Sequence, residues 1–497
     1  MRARRFLRSM RILAAVFSCA LCTLVLAGSA GAIGAIGVTE DAGKYSSDGG
    51  GPFYSQLDDL GMNENAITIY WDPSLPGGMA EPGLLDRTLP AAAAHGIRIV
   101  LTVYARRPAQ FTLSPTAEAQ FTDFLERLAL AYPEVRDFVV GNEPNQPRFW
   151  QPQFAPDGSE AAGAAYEQLL ARCYDVLKSV NPAIRVIGLG LSERGNDDPN
   201  APSNASTSPV RFIQALGAAY YASGRERPIM DALAYHPYPG SSTDPLAKGL
   251  PWPNASVANL DRIKQAVWDA FHSTAQPTFE NGLGLVVSEV GWQVGVVAPS
   301  ASAYHGRENV AVTSEATQAA IYGDLVRQLS CDPDVTDLLF LHLADESDLS
   351  GFQSGLERAD GSRRPSYDAV KTAIAQTHGR CLGKPLTWRH ATGVVGASVR
   401  FSGRRATARA DEDATYAAAY VRISPKRAPR RVSIDRALTS GELDAAEGTL
   451  SAATRVAVRR PTLPTRRGTY VLAVSLRAAM NGERRSLFLG LPFHARG

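Results

Sequence analysis

Short apolar segments recur eight times between Ile33 and Leu343, about 30 to 50 residues apart, and a stretch with helical spacing follows each one. The segments read IGAIGVTED from Ile33, AITIYWD from Ala66, IRIVLTVY from Ile97, DFVVGNE from Asp137, IRVIGLG from Ile184, MDALAYHPY from Met230, LGLVVSE from Leu283 and VTDLLFLHL from Val335. Eight strand–helix units predict a closed (β/α)8 barrel, the TIM-barrel fold of the α/β class. A doubly wound open sheet is the alternative, although no glycine-rich nucleotide-binding fingerprint follows the first segment.

The stretches between the strands have recognisable helix starts. Several open with Ser, Pro or Asp, which are typical of the first turn of a helix. The predicted helices cover residues 115–132, 160–180, 209–223, 257–273, 314–330 and 365–377. This alternation of strand and helix favours the barrel.

The pattern changes after Cys381, where short alternating runs replace the helical spacing. The runs VVGASVRFSG, TYAAAYVRIS, RRVSIDRAL, TRVAVRR, GTYVLAVSLRA and RSLFLGL predict a C-terminal all-β sandwich of the immunoglobulin-like kind. The net charge changes sign at the same place, from −16 over residues 33–383 to +13 over residues 384–497. We therefore predict a barrel domain over 33–383 and an accessory β-sandwich over 384–497. The basic domain either binds an acidic polymer or surface or only braces the barrel, and its dispersed Arg residues favour bracing.

The first residues predict an export signal. Five Arg residues precede an apolar run from Ile12 to Ala27, and Ala30, Gly31 and Ala32 form a small-residue cleavage site. We expect residues 1–32 to be a signal peptide cleaved after Ala32, with Ala27 and Ala30 as alternative cleavage points, and the mature protein to be secreted. An uncleaved membrane anchor is the other interpretation, but the run is shorter than the ~20 residues that span a bilayer.

Three cysteines follow that segment. Cys331 and Cys381 flank the last barrel unit and could form a disulfide in an oxidising compartment. Cys173 lies in a helical pattern and is expected to be a buried free thiol. Because no C-x-x-C pair or His/Cys cluster accompanies them, no structural zinc site is predicted.

Two glutamates end otherwise apolar strands. The fourth segment ends in VVGNEP, which contains Glu143, and the seventh ends in VVSEVGW, which contains Glu289. Barrel enzymes place catalytic groups at the C-terminal ends of their strands, and a carboxylate buried there is costly unless it has a partner or a role. Glycosidic cleavage needs two carboxyl groups flanking the bond, and strands four and seven lie on opposite sides of a closed barrel.

These motifs resemble the clan A glycoside hydrolases, over most of residues 33–377. The resemblance implies that Glu143 is the general acid/base, that Asn142 contacts the sugar 2-hydroxyl group, and that Glu289 is the nucleophile of a retaining mechanism. His236 and Tyr238, after the sixth strand, are similar to the clan's His-x-Tyr element, whose Tyr hydrogen-bonds the nucleophile. Because strand alternation sends Asn142 and Glu143 to opposite faces, both can reach one site only if the strand end bulges or coils.

The chain departs from the clan pattern at strand eight, where many clan members have a Trp that floors the sugar site and this chain has Leu341, His342 and Leu343 before Asp345 and Glu346. Aromatic residues near other strand ends are candidate sugar platforms, and half of them are expected to pack under loops instead. The candidates for substrate binding are Trp150 and Trp292, which follow the two glutamates, together with Trp71 and Tyr104. The long loops over residues 191–208 and 293–313 are expected to build the cleft.

We predict a secreted, monomeric retaining glycoside hydrolase that binds carbohydrate and uses no cofactor, metal or nucleic-acid partner. A non-catalytic glycan-binding or cell-surface protein on the same barrel is one alternative, and the missing strand-eight Trp favours it. A metal-dependent lyase or hydrolase is another, because one barrel fold hosts many chemistries. Against that alternative, the strand ends show no His/Asp ligand set of the usual kind.

Overall fold

Eight parallel strands form a closed barrel. The computed structural model describes residues 33–79, 81, 83–424, 430–439 and 442–495, so the predicted signal peptide lies outside the described residues. The strands pair in chain order, and the last pairs with the first. They are β1 (Ala35–Thr39), β2 (Glu64–Trp71), β3 (Arg98–Ala105), β4 (Asp137–Val140), β5 (Arg185–Ser192), β6 (Ala232–His236), β7 (Gly284–Val287) and β8 (Val335–Leu341). The predicted (β/α)8 barrel is confirmed, and the open-sheet alternative is wrong.

Helices connect the strands and cover the outside of the barrel. They are α1 (Ala42–Tyr45), α2 (Gly51–Leu60), α3 (Leu84–Ala94), α4 (Ala117–Ala131), α5 (Ala162–Val180), α6 (Pro209–Ser223), α7 (Leu260–Phe271), α8 (Glu315–Leu329) and α9 (Pro365–Thr377). Short 3₁₀ turns lie at Pro76–Gly78, Val257–Asn259, Phe279–Asn281 and Ala298–Ala303. The helix predicted over residues 257–273 begins as one of these turns, because Ser256 and Asn259 form a capping box there.

The barrel is filled by a layer of small and branched side chains, one or two from each of several strands. This layer consists of Ala66, Val100, Val139, Ile187, Ala232, Ala234, Val286 and Leu339. A larger core lies between the strands and the helices. A packed interior is the usual state of an eight-stranded barrel, so a ligand site has to lie at an end of the barrel and not inside it.

Charged side chains close the end where the strands begin. Arg98 of β3 pairs with Glu64 of β2 and lies 2.7 Å from Asp337 of β8, while Arg185 of β5 contacts Asp337 at 2.6 Å. Burial raises the pKa of Glu64, and the charge of Asp337 adds to this effect. Because conserved function in such barrels belongs to the opposite, C-terminal end, we interpret this network as structural.

Antiparallel sheets follow the barrel. Their strands are β9 (Ser398–Ser402), β10 (Arg405–Arg409), β11 (Ala414–Ile423), β12 (Ala446–Leu450), β13 (Arg455–Ala457), β14 (Gly468–Ala478), β15 (Arg485–Leu489) and β16 (Phe493–Ala495). One sheet has the order β13-β10-β9; the other has the order β12-β11-β14-β15, with β16 paired to β14. Residues of both sheets share one apolar core, so the predicted two-sheet sandwich is confirmed. The domain boundary at residue 383 stays a prediction.

One strand predicted in this domain is wrong. The segment RRVSIDRAL forms helix α10 (Arg431–Thr439). Ile434 and Leu438, four residues apart on this helix, are buried against Ala419 of β11 and Ala473 of β14. Residues four apart lie on the same face of a helix, so packing against the outer face of the sheet favours a helix here. This packing outweighs the alternating pattern, which predicted a strand.

Buried polar contacts join the β-sandwich to the barrel. Arg484, between β14 and β15, is buried and pairs with Asp269 of α7 at 2.8 Å and with Glu412 at 2.6 Å. Asn481 also donates a hydrogen bond to Asp269, at 3.1 Å. These are contacts of the kind that a bracing domain requires. Among the described residues, no helix is both long and apolar enough to cross a membrane.

Cys331 and Cys381 form a disulfide with a Cα–Cα distance of 4.3 Å, and Cys173 is a buried free thiol, so both cysteine predictions are confirmed. The disulfide closes a loop of 50 residues. Replacing both cysteines by serine is expected to lower the free energy of unfolding by roughly 4 kcal/mol, because the unfolded chain regains the entropy of that loop. Urea unfolding with and without a reducing agent measures this loss. A reducing agent that shifts the midpoint of the double variant as much as that of the unchanged protein would contradict the prediction.

Candidate active site

The backbone turns sharply where β4 ends, and this turn aims Glu143 at the barrel mouth. Gly141 has φ 92° and Glu143 has φ 38°, both in the left-handed region. A side chain at position 141 would press against the ring of Tyr166 at 3.1 Å, so a glycine is required there. The backbone N–H of Glu143 donates to the carbonyl of Gly190 in β5 at 2.8 Å, which compensates for the strained conformation. The strand end therefore coils, as the resemblance required.

Four of the predicted site residues meet above the barrel. Nδ1 of His236 lies 3.0 Å from Oε1 of Glu143 and 3.5 Å from Oε2 of Glu289. The hydroxyl of Tyr238 donates to Oε2 of Glu289 at 2.9 Å. One carboxylate oxygen of Glu143 and one of Glu289 lie within 4.8 Å of each other. Side chains from β4, β6 and β7 thus converge on one point.

Burial and charge act against each other in this cluster. Burial raises the pKa of Glu289, with the charge of Glu143 adding to it, whereas His236 and the hydrogen bond from Tyr238 lower it. Burial lowers the pKa of His236, but Glu289 and Glu143 outweigh this effect and raise it overall. The imidazole is therefore a cation over a wider pH range than usual, and this cation favours the ionised form of Glu289.

A cavity of about 530 Å³ opens over Glu143 and Tyr238. Ser192, Glu193, Arg194 and Asn204 line one side, and Gln293, Val310 and Ala311 line another. These residues belong to the loops over residues 191–208 and 293–313, so the prediction that both loops build the cleft is confirmed. The size is within the range of about 300–1,000 Å³ that is usual for small-molecule sites.

The tryptophans predicted as sugar platforms belong to the core. Trp71 and Trp292 are each 1% exposed and Trp150 is 6% exposed. Trp71 and Trp150 both stack on Phe111, with ring centroids 5.5 and 5.2 Å apart. Trp292 donates its indole N–H to the carbonyl of Asp244 at 2.9 Å. Since no ring face of the three is open to solvent, their assignment to substrate binding is wrong.

An aromatic residue that the sequence did not single out occupies the cleft instead. Phe352, in the loop after β8, is 38% exposed and lines the cavity. Its ring stacks on that of Tyr238, with centroids 6.2 Å apart. Phe352 thus offers an exposed aromatic surface in the cavity that Glu143 also lines, and it can contact the apolar face of a sugar ring.

The two remaining predicted residues lie beside the cluster. Asn142 and Tyr104 are half-buried and line a small adjoining cavity together with Trp150. The Tyr104 ring packs edge-on against Tyr70, with centroids 5.1 Å apart. The charge of Glu289 contributes to raising the pKa of Tyr104, after burial and Tyr70, so this phenol lies near the cluster. The roles of Asn142 and Tyr104 in substrate binding stay predictions.

His342 takes the place of the missing strand-eight Trp. Its Nδ1 lies 3.2 Å from Oε2 of Glu40, at the end of β1, and its Nε2 lies 3.6 Å from Oε1 of Glu346. Burial lowers the pKa of His342, but the two glutamates outweigh it and raise the pKa to about 10. The β8 side of the mouth therefore presents a charged group where the clan commonly has an aromatic floor.

The described residues include one group that could hold a metal ion. Glu143, His236 and Glu289 each offer an atom within 4.8 Å of the others. Two carboxylate oxygens and an imidazole nitrogen suit a divalent ion such as zinc or manganese. This group contains no Asp, so it differs from the usual His/Asp ligand set, and the absence of a metal stays a prediction.

Comparison with solved structures identifies similar chains. A family 39 glycoside hydrolase from the gut symbiont Bacteroides cellulosilyticus is 16% identical, with a TM-score of 0.49 over 86% of this chain and 81% of that one. A monomeric β-xylosidase from Caulobacter crescentus is 18% identical, with a TM-score of 0.44 over 87% of this chain and 96% of that one. A GH2 β-galacturonidase from Eisenbergiella tayi is 14% identical, with a TM-score of 0.41 over 68% of this chain and 48% of that one. A sequence search found no matching family model and no match among curated proteins.

The fold is a closed (β/α)8 barrel. Its eight parallel strands close in chain order and are followed by antiparallel sheets. This architecture is consistent with a clan A glycoside hydrolase, in agreement with the resemblance of the sequence motifs.

Proposed function

We propose that the protein is a secreted retaining glycoside hydrolase that cleaves β-linked O-glycosidic bonds in oligosaccharides or polysaccharides. The observation that carries the proposal is the short separation of Glu143 and Glu289, which have carboxylate oxygens within 4.8 Å. Retaining enzymes have carboxyl groups about 5–5.5 Å apart, whereas inverting enzymes need about 6.5–9.5 Å to admit a water molecule. The pair is therefore close enough for direct attack by one of its members.

In the first step, a carboxylate oxygen of Glu289 attacks the anomeric carbon while Glu143 donates a proton to the leaving oxygen. The glycosidic bond breaks, and its electron pair goes to that oxygen. In the second step, Glu143 removes a proton from water, which attacks the anomeric carbon and releases Glu289. Glu143 recovers its proton, and the configuration of the sugar is unchanged after two displacements.

The neighbours of Glu289 keep it ready for the first step. A nucleophile has to be ionised, yet burial raises the pKa of Glu289. The hydroxyl of Tyr238, at 2.9 Å, and the imidazole of His236, at 3.5 Å, both favour the ionised form. His236 also contacts Glu143, so it fixes the distance between the two carboxyl groups.

The test is turnover of a panel of aryl glycosides and polysaccharides, followed by ¹H NMR of the first anomer released. We expect the product to appear first with the configuration of the substrate. Early appearance of the opposite anomer would overturn the retaining mechanism. Glycan binding without any product after long incubation would favour the non-catalytic alternative.

The cluster of Glu143, His236 and Glu289 favours a metal-dependent hydrolase as the second candidate, since these residues could bind a divalent ion. Treatment with a chelator separates the two candidates. A retaining glycosidase of the proposed kind keeps its activity in the chelator. Loss of activity that added zinc or manganese restores would support the metal enzyme instead.

Removal of the Tyr238 hydroxyl tests the support given to Glu289. In Tyr238→Phe, kcat/KM is expected to fall about 10-fold or more, the effect of losing a hydrogen bond to a charged group. Because that bond lowers the pKa of Glu289, its loss raises the pKa, and the acidic limb of the pH profile moves to higher pH. Tyr132→Phe is the matched control, because Tyr132 donates to Asp86 at 3.0 Å in the outer helical layer. An unshifted acidic limb in Tyr238→Phe would contradict this role.

Secretion is part of the proposal. It is supported by the leader-like pattern of residues 1–32 and by the disulfide between Cys331 and Cys381, a bond typical of oxidising compartments. Amino-terminal sequencing of exported protein, which we expect to begin at Ile33, tests it.

A further inference from the structure

Glu193 is a buried carboxylate in the cleft that the two displacement steps do not use. It directly follows β5, is 5% exposed, and lines the same cavity as Glu143 and Tyr238. Its Oε2 accepts a hydrogen bond from the Ser192 hydroxyl at 2.9 Å, and its Oε1 lies 3.2 Å from Nε of Arg194. The Arg194 side chain is 64% exposed, so this ion pair compensates only weakly for the burial of the charge.

The segment that carries Glu193 is held in place by Asn145, a fully buried residue of the β4 loop. The Asn145 side chain donates to the carbonyls of Ser192 at 3.2 Å and Thr207 at 3.0 Å, and it accepts from the N–H of Ser192 at 3.0 Å. Glu193 is thus positioned before any ligand arrives. A carboxylate that is held in place, faces a cavity and has too few partners to offset the cost of its burial is typical of a binding residue.

Glu193 lies at the mouth of the barrel, next to the reacting groups. The N–H of Glu143 donates to the carbonyl of Gly190 in β5. After a bulge between Leu189 and Leu191, Ser192 pairs with His236 of β6. Because His236 contacts Glu143 and Glu193 directly follows Ser192, the backbone of Glu193 lies just beyond the level of this cluster.

The position of Glu193 on the Glu143 side of the cleft indicates which sugar unit of the substrate would contact it. The general acid donates its proton to the oxygen of the leaving sugar, so that sugar lies beside Glu143. Gln146, Glu193 and Asn204 line the cavity there, all from the loops after β4 and β5. Under the proposed function, this region is the binding site for the leaving group.

We infer that Glu193 accepts a hydrogen bond from a hydroxyl group of the leaving sugar, and that it thereby selects substrates whose leaving group is an uncharged sugar. This inference rests on the proposed function. An ionised carboxylate only accepts hydrogen bonds, and a sugar hydroxyl is a neutral donor. A leaving group with its own carboxylate would be repelled by the charge of Glu193.

The electrostatics of Glu193 agree with this role. Burial raises its pKa to about 7; Arg194 opposes this shift and the charge of Glu143 adds to it. A hydroxyl donor bound at Glu193 supplies a hydrogen bond that the ionised form lacks in the free protein. Binding of the sugar therefore lowers the cost of keeping this charge in the cleft.

The test compares two substrates with the same sugar in the glycone position, a disaccharide and an aryl glycoside. In Glu193→Ala, the ratio of kcat/KM for the disaccharide to kcat/KM for the aryl glycoside is expected to fall about 10- to 100-fold, the range for a hydrogen bond to a charged group. Glu193→Gln keeps the shape of the side chain, so it gives a folded variant in which the same ratio falls less. Glu226→Gln, at an exposed glutamate before β6, is the matched control and leaves the ratio unchanged.

The outcomes separate this inference from the proposed function. An unchanged ratio in both Glu193 variants, in a protein that cleaves both substrates, overturns the inference and leaves the proposed function intact. An equal loss on both substrates with a shifted pH profile overturns it too, because Glu193 then acts through Glu143. If the unchanged protein cleaves neither substrate, both proposals fail.

Discussion

Replacing Glu289 by alanine is expected to reduce kcat on an aryl glycoside by on the order of 10,000-fold or more, the largest effect of any single change in the chain. Under the proposed function, the side chain supplies the atom that bonds to the anomeric carbon, and none of the residues that contact it can replace it. Tyr238 and His236, which hold it at 2.9 and 3.5 Å, are hydrogen-bonding partners placed to orient a carboxylate. Steady-state kinetics with a nitrophenyl glycoside measure the loss.

Azide distinguishes the loss of a nucleophile from the loss of a fold. In Glu289→Ala, azide can enter the space of the missing carboxylate and attack from the same side. The expected product is a glycosyl azide of inverted configuration, formed in a single displacement. Recovery of activity without azide incorporation, or residual activity near that of the unchanged protein, would exclude Glu289 as the nucleophile.

Replacing Glu143 by alanine is expected to lower kcat/KM about 100- to 10,000-fold on substrates with poor leaving groups, the usual contribution of general acid–base catalysis. The effect on the first step should be much smaller when the leaving group is an acidic phenol, because such a group leaves without a proton. The dependence of rate on leaving-group pKa therefore steepens in Glu143→Ala. A series of substituted aryl glycosides measures this slope.

The second displacement supplies the control for Glu143. With azide, Glu143→Ala should form a glycosyl azide of retained configuration, since azide attacks the glycosyl–enzyme intermediate from the face that water uses. The two alanine variants thus give opposite anomers of the same compound. Identical anomers from both variants would show that the two roles are assigned wrongly.

The barrel and its two glutamates were predictable because local chemistry specifies them. Eight runs of β-branched and apolar residues at regular spacing predict buried strands, and a carboxylate that ends such a run needs a reason to be there. Glu193 obeys the same rule, since it directly follows the apolar strand β5. Attention to every charged residue at a strand end would have found it from the sequence.

The aromatic residues show that the sequence alone does not predict whether a ring lies in the core or in the cleft. A tryptophan near a strand end is equally compatible with core and cleft, because residue type does not determine the direction of a ring. Trp71 and Trp150 turn toward Phe111, and the contact that decides this comes from another loop. Phe352 has no local signal at all, because its exposure depends on how the loop after β8 folds back over Tyr238.

Helix α10 illustrates the same limit in the β-sandwich. A strand would place Val432, Ile434 and Arg436 on the same face of a sheet. In the structure, however, Val432 is 76% exposed and Ile434 is buried. The decisive contacts of Ile434 and Leu438 are with Ala419 and Ala473, which lie on strands of the neighbouring sheet. Tertiary packing overrides a short local pattern in such cases.

The hydrogen bond from Glu143 to Gly190 has a consequence for how this barrel can diversify. It anchors Glu143 to the backbone of the adjacent strand, so the aim of the carboxyl group does not depend on the outer part of the loop that follows it. Beyond the buried residues Asn145 and Trp150, that loop is free to lengthen, shorten or exchange residues while the reacting groups keep their spacing. New substrate specificities can then arise from changes in the loops around the barrel mouth alone, while the reacting carboxyl groups stay in place.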